Sequence, residues 1–149
     1  MRKFILCLFC TLLIAPWMLA QTPDSAPGAL PSIITDGLAL YKTNGPEAVI
    51  RSWIKGGPLD GNRDAFAQVG LLRQAQDLYG IYQGFEVYSS QPLSRRTQLT
   101  YLVMHYAKGP LFARLVTYQT SDGWMVISFN FSKDDSILPE LMPLPPANP

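Results

Sequence analysis

The chain holds one histidine, His105, within the β-rich run Thr97-Gln-Leu-Thr-Tyr-Leu-Val-Met-His-Tyr106. A lone imidazole removes every metal site built on several histidines. It leaves a general base in a pocket, or a strand-end residue beside a turn. No carboxylate lies near it on its expected sheet face, which favours the strand end. Arg114 stands mid-strand between aromatic neighbours, where its guanidinium can receive a carboxylate. Its stem can also lie across Tyr101 and Trp124, or its charge can pair with Glu86. A mid-sheet cation needs a partner, so pairing with Glu86 is preferred. Glu86 is the one acidic residue inside an expected strand, and its other role would be a pocket acid.

The remaining acidic residues form no catalytic pair. Asp60 and Asp64 flank a helix start, where capping explains them. Asp122 belongs to a turn and Asp134-Asp135 to a solvated run. Gly56-Gly57-Pro58 reads as a helix stop, since no phosphate-cradling motif surrounds it. A serine-histidine-aspartate set carries no information here, because any chain with one histidine offers it.

The elements that must position these residues follow from periodicity. Thr97–Tyr106, Leu111–Tyr118 and Trp124–Phe131 are β-rich runs separated by Lys108-Gly109 and Asp122-Gly123, an antiparallel meander. A turn at Lys108-Gly109 sets His105 opposite Phe112, Val103 opposite Arg114 and Tyr101 opposite Val116. At the second turn, a two-residue Asp122-Gly123 loop would set Tyr118 opposite Ile127. A Ser121-Asp122 turn with a bulge at Gly123 would set it opposite Val126. The bulged register sorts the faces better. It places Leu102, Met104, Leu111, Ala113, Leu115, Met125, Ile127, Phe129 and Phe131 together. The other face then carries Tyr101, Val103, His105, Phe112, Arg114, Val116, Tyr118, Trp124, Val126, Ser128 and Asn130.

Ahead of the meander, Leu30, Ile33, Ile34, Leu38 and Tyr41 keep helical spacing up to Asn44-Gly45. Pro46 opens a second helix, with Val49, Ile50, Trp53 and Ile54 as its stripe. A third helix, capped by Asn62 or Asp60, carries Phe66, Val69, Leu72, Ala75 and Tyr79, and Gly80 closes it. Gly70 in its middle suggests close packing on the sheet. Ile81–Ser89 is the first strand, with Phe85 and Val87 on its apolar side, and Gln91–Arg96 a long basic-tipped loop. The order predicts an α+β domain, three helices packed on a four-stranded antiparallel meander sheet.

Composition bounds the rest. The 149 residues, 48% hydrophobic and 15% charged, suit one domain. Residues 1–20 run Met1-Arg2-Lys3, then an apolar stretch, then Ala20, the order of a cleaved secretory signal. Residues 21–29 read as an exposed leader, 30–132 as the domain and 133–149 as a proline-rich tail. Cys7 and Cys10 lie within the signal, outside any lipid-attachment context, so the exported domain would carry no thiol. Losing Arg2 and Lys3 leaves ten basic against 11 acidic residues, which argues against a nucleic-acid partner. No membrane segment is expected after cleavage.

The helical hairpin before a curved meander, closed by Asp122-Gly123-Trp124 to Phe129-Asn130-Phe131, resembles the cystatin-like group and, within it, the nuclear-transport-factor-2-like superfamily. The likeness covers Leu30 to Phe131. That superfamily includes dehydratases, isomerases, immunity-like proteins and binding modules, so the resemblance implies a fold and not an activity.

Low convergence of polar groups favours an exported, non-enzymatic binding module, with no cofactor and no metal site. Its candidate binding residues are Tyr101, His105, Arg114, Tyr118, Trp124 and Asn130, with Glu86 as a possible pocket acid. The mixed aromatic-arginine face is apolar enough to need a cover. A homodimer through the sheet is the first expectation, and coverage by the tail with its Ile137, Leu138 and Leu141 the second. A small-pocket acid-base enzyme using His105 or Glu86 and an envelope-associated structural partner are the alternatives. The signal assignment predicts a periplasmic or secreted protein with its mature N-terminus near Gln21. N-terminal sequencing of protein from its native host checks this, and a retained Met1 in the cytoplasm overturns it.

Overall fold

The computed structural model describes residues 29–139. The expected signal, nearly all of the leader and the tail beyond Pro139 lie outside the described residues. Three helices precede four strands, and the strands form one antiparallel sheet in the order β1-β2-β3-β4. The helices cover one sheet face, giving the expected α+β arrangement.

Helix α1 (Ser32–Asn44) ends where Gly45 adopts φ 78° and its N–H bonds the Tyr41 carbonyl. Helix α2 (Pro46–Ile54) starts on Pro46, whose fixed φ suits a first helical residue and whose missing N–H costs nothing there. Helix α3 (Arg63–Tyr79) is capped by Asn62, whose side-chain oxygen accepts from the Asp64 and Ala65 amides at 2.8 and 3.1 Å. Asp60 instead accepts from the Gly56 amide at 3.0 Å, bracing the loop before the helix.

The fully buried Trp53 fastens these helices to the sheet. Its indole N–H donates to the Ile33 carbonyl at 3.0 Å. Its ring stacks on Phe131 at 6.2 Å and meets Phe129, partly buried against the core, edge-on at 5.8 Å. Gly37 lies beneath the indole, where a Cβ would sit 2.1 Å from the ring nitrogen. Close approach therefore falls at Gly37 and not at Gly70, which is exposed and has open space around it.

The sheet is β1 (Tyr82–Ser94), β2 (Thr97–Tyr106), β3 (Gly109–Thr120) and β4 (Gly123–Ser132). Strand β1 runs on through the segment expected as a loop, and only Arg95-Arg96 turns. Between β2 and β3 the turn is Ala107-Lys108, so His105 faces Pro110, Val103 faces Phe112 and Tyr101 faces Arg114. The cause lies in the α3–β1 connection. The Ala107 and Lys108 amides bond the Ile81 and Tyr79 carbonyls, and Gly109 packs so tightly on the Tyr79 ring that a Cβ would lie 2.9 Å away. This register differs from the expected one by two residues, an even number, so the faces of β2 and β3 are unchanged.

The extra residue of β4 is Ile127, between the Val116–Ser128 and Thr117–Val126 pairs, and not Gly123. Beyond it Phe129 and Phe131 oppose Leu115 and Ala113, as the bulged register requires. Before it Tyr118 faces Met125, and Trp124 and Val126 leave the outer face. Val126 is fully buried in the core. At the end of the sheet near Thr97 the inner face turns polar. Gln98 Nε2 donates to the Ala29 carbonyl at 3.0 Å and to Ser90 Oγ at 2.6 Å, pinning the chain where it enters the domain.

The glycine contrast is measurable. Gly37→Ala should lose about 1–3 kcal/mol by overpacking a ring with no room to move. Gly70→Ala should gain up to about 1 kcal/mol from helix propensity. Urea unfolding of both variants checks the pair, and a neutral Gly37→Ala would show that Trp53 is not held as described.

Candidate functional site

The outer sheet face gathers most of the expected binding residues. Pairing aligns Tyr101, Arg114 and Asn130 in one row across β2, β3 and β4. Arg114 and Tyr101 are half-buried and Asn130 is exposed. Tyr118 stands on the same face toward the β1–β2 turn, under the Arg96 guanidinium at 5.3 Å. Arg96 is held there by donating from Nε to the Gln119 carbonyl at 2.9 Å, while the Gln119 amide donates back to the Arg96 carbonyl at 2.8 Å. A cation lying on a ring flanked by polar groups suits recognition of an anionic or aromatic group.

Glu86 does not pair with Arg114. It stands opposite Val103, on the far side of β2, and its carboxylate is 3.6 Å from His105 Nε2. That separation exceeds hydrogen-bond reach. The Glu86 side chain is 77% exposed, so solvent screens the contact. His105 Nε2 has no hydrogen-bond partner among the described residues. Arg114 has no ion pair among them.

Trp124 is the one expected binding residue that the fold moves elsewhere. The bulge at Ile127 reverses side-chain alternation within β4, so Trp124 pairs with Gln119 and points to the helix side. It lines a cleft of about 450 Å³ with Ser32, Asp36, Gly37 and Ser52.

Two further features bear on the site, the first among the expectations as coverage of the outer face by the tail, the second not legible as a site element. The first is the chain after β4. A 3-10 turn at Asp135–Ile137 lies against β3 and β4, and the Pro139 carbonyl accepts from the Tyr88 hydroxyl of β1 at 3.5 Å. The helices fill the other face, so this segment crosses the outer one, and Ile137, Leu138 and Pro139 are half-buried. The second is a tyrosine cluster where α1, β1 and β2 meet. Tyr106 donates to the Tyr41 hydroxyl at 3.1 Å, and Tyr41 donates to the Leu72 carbonyl at 3.1 Å. Tyr82 packs on Tyr41 with ring centres 4.4 Å apart. The only sequence signal was three tyrosines at element ends, which an apolar count treats as filling.

Burial holds all three phenols above the ordinary tyrosine value. Burial and, secondarily, the neighbouring Tyr41 push Tyr82 up to about 12. Tyr106 is raised by burial and by its hydrogen bond to Tyr41, and burial likewise raises Tyr41. Among the described residues, no cluster of histidine, cysteine or acidic side chains could hold a metal, and no helix is long and apolar enough to cross a membrane. The chain matches no protein-family model, and searches of the curated proteins and of the solved structures find no match.

The raised phenols set a pH limit. A proton held more tightly in the folded than the unfolded state stabilises fully below the unfolded value, and that contribution disappears as pH climbs through the folded one. Stability should therefore fall between pH 10.0 and about 12 on account of Tyr82. Tyr82→Phe should flatten the decline, as urea unfolding across that range would measure. An unchanged slope would place the loss in other groups.

Proposed function

We propose that this protein is an exported, non-enzymatic binding module whose receptor surface is the outer face of the sheet. One observation carries the reading. Arg114 is half-buried in the row of Tyr101 and Asn130, and no described carboxylate pairs with it. A partly desolvated guanidinium flanked by a phenol and an amide supports binding of a carboxylate carried by a small molecule or a protein segment. The segment Lys133–Pro139 rests on the same face, so a ligand would meet Arg114 beside or beneath it.

Export is supported by the basic-then-apolar order of residues 1–20. Membership of the cystatin-like or nuclear-transport-factor-2-like group is supported by three helices ahead of a four-stranded meander. Pairing of two copies through the outer face belongs to the same reading, since a mixed aromatic-arginine surface also suits a subunit interface. The second reading, a small-pocket acid-base enzyme, draws on the approach of Glu86 to His105.

Native mass spectrometry of protein recovered from its host reads bound mass and copy number together. The expected outcome is a bound species or second copy that Arg114→Gln loses and His105→Gln retains. A bare monomer overturns the reading. Turnover of a recovered ligand that vanishes in His105→Gln moves it to the enzyme.

A further inference from the structure

The tyrosine cluster opens on a cleft of about 510 Å³ between the end of α1, the end of α3 and the start of β1. That volume is within the range of small-molecule sites. Tyr41 and Tyr82 form one wall, Lys42 and Gln76 reach it from the helices, and Ile81 and Gln83 close the strand side. The site shares no residue with the outer sheet face and does not rest on the reading given to that face.

Three observations point to an occupant. Tyr82 is only 6% exposed, and its hydroxyl, without a hydrogen-bond partner among the described residues, is not a sealed atom but the part of the side chain left open at the cleft. The other two phenols of the cluster are committed, Tyr106 to Tyr41 and Tyr41 to the Leu72 carbonyl. A phenol whose ring is packed while its hydroxyl stays open can offer that hydroxyl to a ligand. Second, Ile81 is 75% exposed at the same cleft, a branched apolar side chain left in solvent. Third, Lys42 has no ion pair among the described residues, and Gln76 and Gln83 line the same cleft without side-chain hydrogen bonds among those residues. Lysine in the last turn of α1 also suits the negative end of that helix, which would account for its charge but not for the open phenol or the exposed isoleucine.

We propose that this cleft binds a small organic carboxylate with an apolar or aromatic body. The carboxylate would meet Lys42, one of its oxygens would accept from the Tyr82 hydroxyl, and the body would cover Ile81 and the edge of the tyrosine pair. The glutamine amides add donors and acceptors that fix orientation without adding charge. A neutral molecule of the same shape leaves the ammonium unmatched, so the site selects for the anion. The raised affinity of Tyr82 for its proton keeps it a donor at neutral pH.

The probe is sodium benzoate, titrated into the full chain to about 10 mM while amide resonances are followed by NMR. Benzamide serves as the neutral counterpart. Benzoate should shift the amides of Gly45, Gln76 and Gln83 in a saturating manner, with benzamide at least about tenfold weaker. Lys42→Gln should bring benzoate down to the level of benzamide. Tyr82→Phe keeps the ring and should weaken benzoate several-fold while leaving the remaining spectrum in place. The proposal falls if nothing shifts, if benzamide binds as well as benzoate, or if Lys42→Gln changes nothing. Shifts gathered at Tyr101, Arg114 and Asn130 would assign the probe to the outer face and overturn the cleft.

Discussion

The seating of Trp53 on Gly37 is the contact that the rest of this structure depends on. One indole touches α1 through Gly37 and the Ile33 carbonyl, and β4 through Phe129 and Phe131. It is itself the centre of the apolar stripe of α2. A buried ring with a satisfied N–H can bridge two helices and a strand without leaving a polar atom unpaired. Because interiors are packed as densely as organic crystals, that ring fixes the distance between α1 and α2 to within a methyl group. The cleft beside Trp124 is a consequence of this spacing, since Ser52, Gly37 and Asp36 lie around the same helix crossing.

The bulge at Ile127 is the second constraint, and it decides what the outer face contains. Strand β4 must bury Phe129 and Phe131 at one end and Val126 near the other. Their spacing cannot all fall on one side of a regular strand, where alternation has a period of two. One unpaired residue resolves the conflict, and it removes Trp124 and Val126 from the outer face. What remains there is a half-buried row centred on Arg114, with a segment of the same chain passing over the sheet from β4 to Tyr88. The face is neither an open apolar patch nor a sealed core. Such an intermediate environment strengthens a charge-assisted contact while leaving a ligand able to enter.

Polar groups are treated differently at the two ends of the sheet. Near Thr97 the buried Gln98 is matched by Ala29 and Ser90, and the buried Thr117 hydroxyl donates to the Gln98 carbonyl at 3.4 Å. That end is a lock on the incoming chain. At the opposite end Tyr106 and Tyr41 pass their hydroxyl protons along to the Leu72 carbonyl, while the Tyr82 hydroxyl stays open at the cleft.

The sequence by itself determined the elements and their class: three helices with their stops at Asn44-Gly45, Gly56-Gly57-Pro58 and Gly80, then strands in meander order. These follow from local causes, since helical spacing, Asn62 capping, Pro46 at a helix start and glycine turns act over a few residues. It also determined that Phe129 and Leu115 lie inward and that Tyr101 and Arg114 lie outward, because alternation survives a two-residue shift. Only the tertiary structure decided which pairs meet. The turn at Ala107-Lys108 was set by the Tyr79 and Ile81 carbonyls, groups distant in sequence. That choice placed Tyr101 beside Arg114, while the separate pairing of β1 with β2 brought Glu86 near His105, where the sequence had shown no carboxylate. The position of the bulge was settled by where Val126 and Phe131 had to bury against Trp53 and the helices, a packing requirement invisible to any window on β4 alone. Side-chain partnership depends on distances between elements, and those distances are fixed only when the core closes.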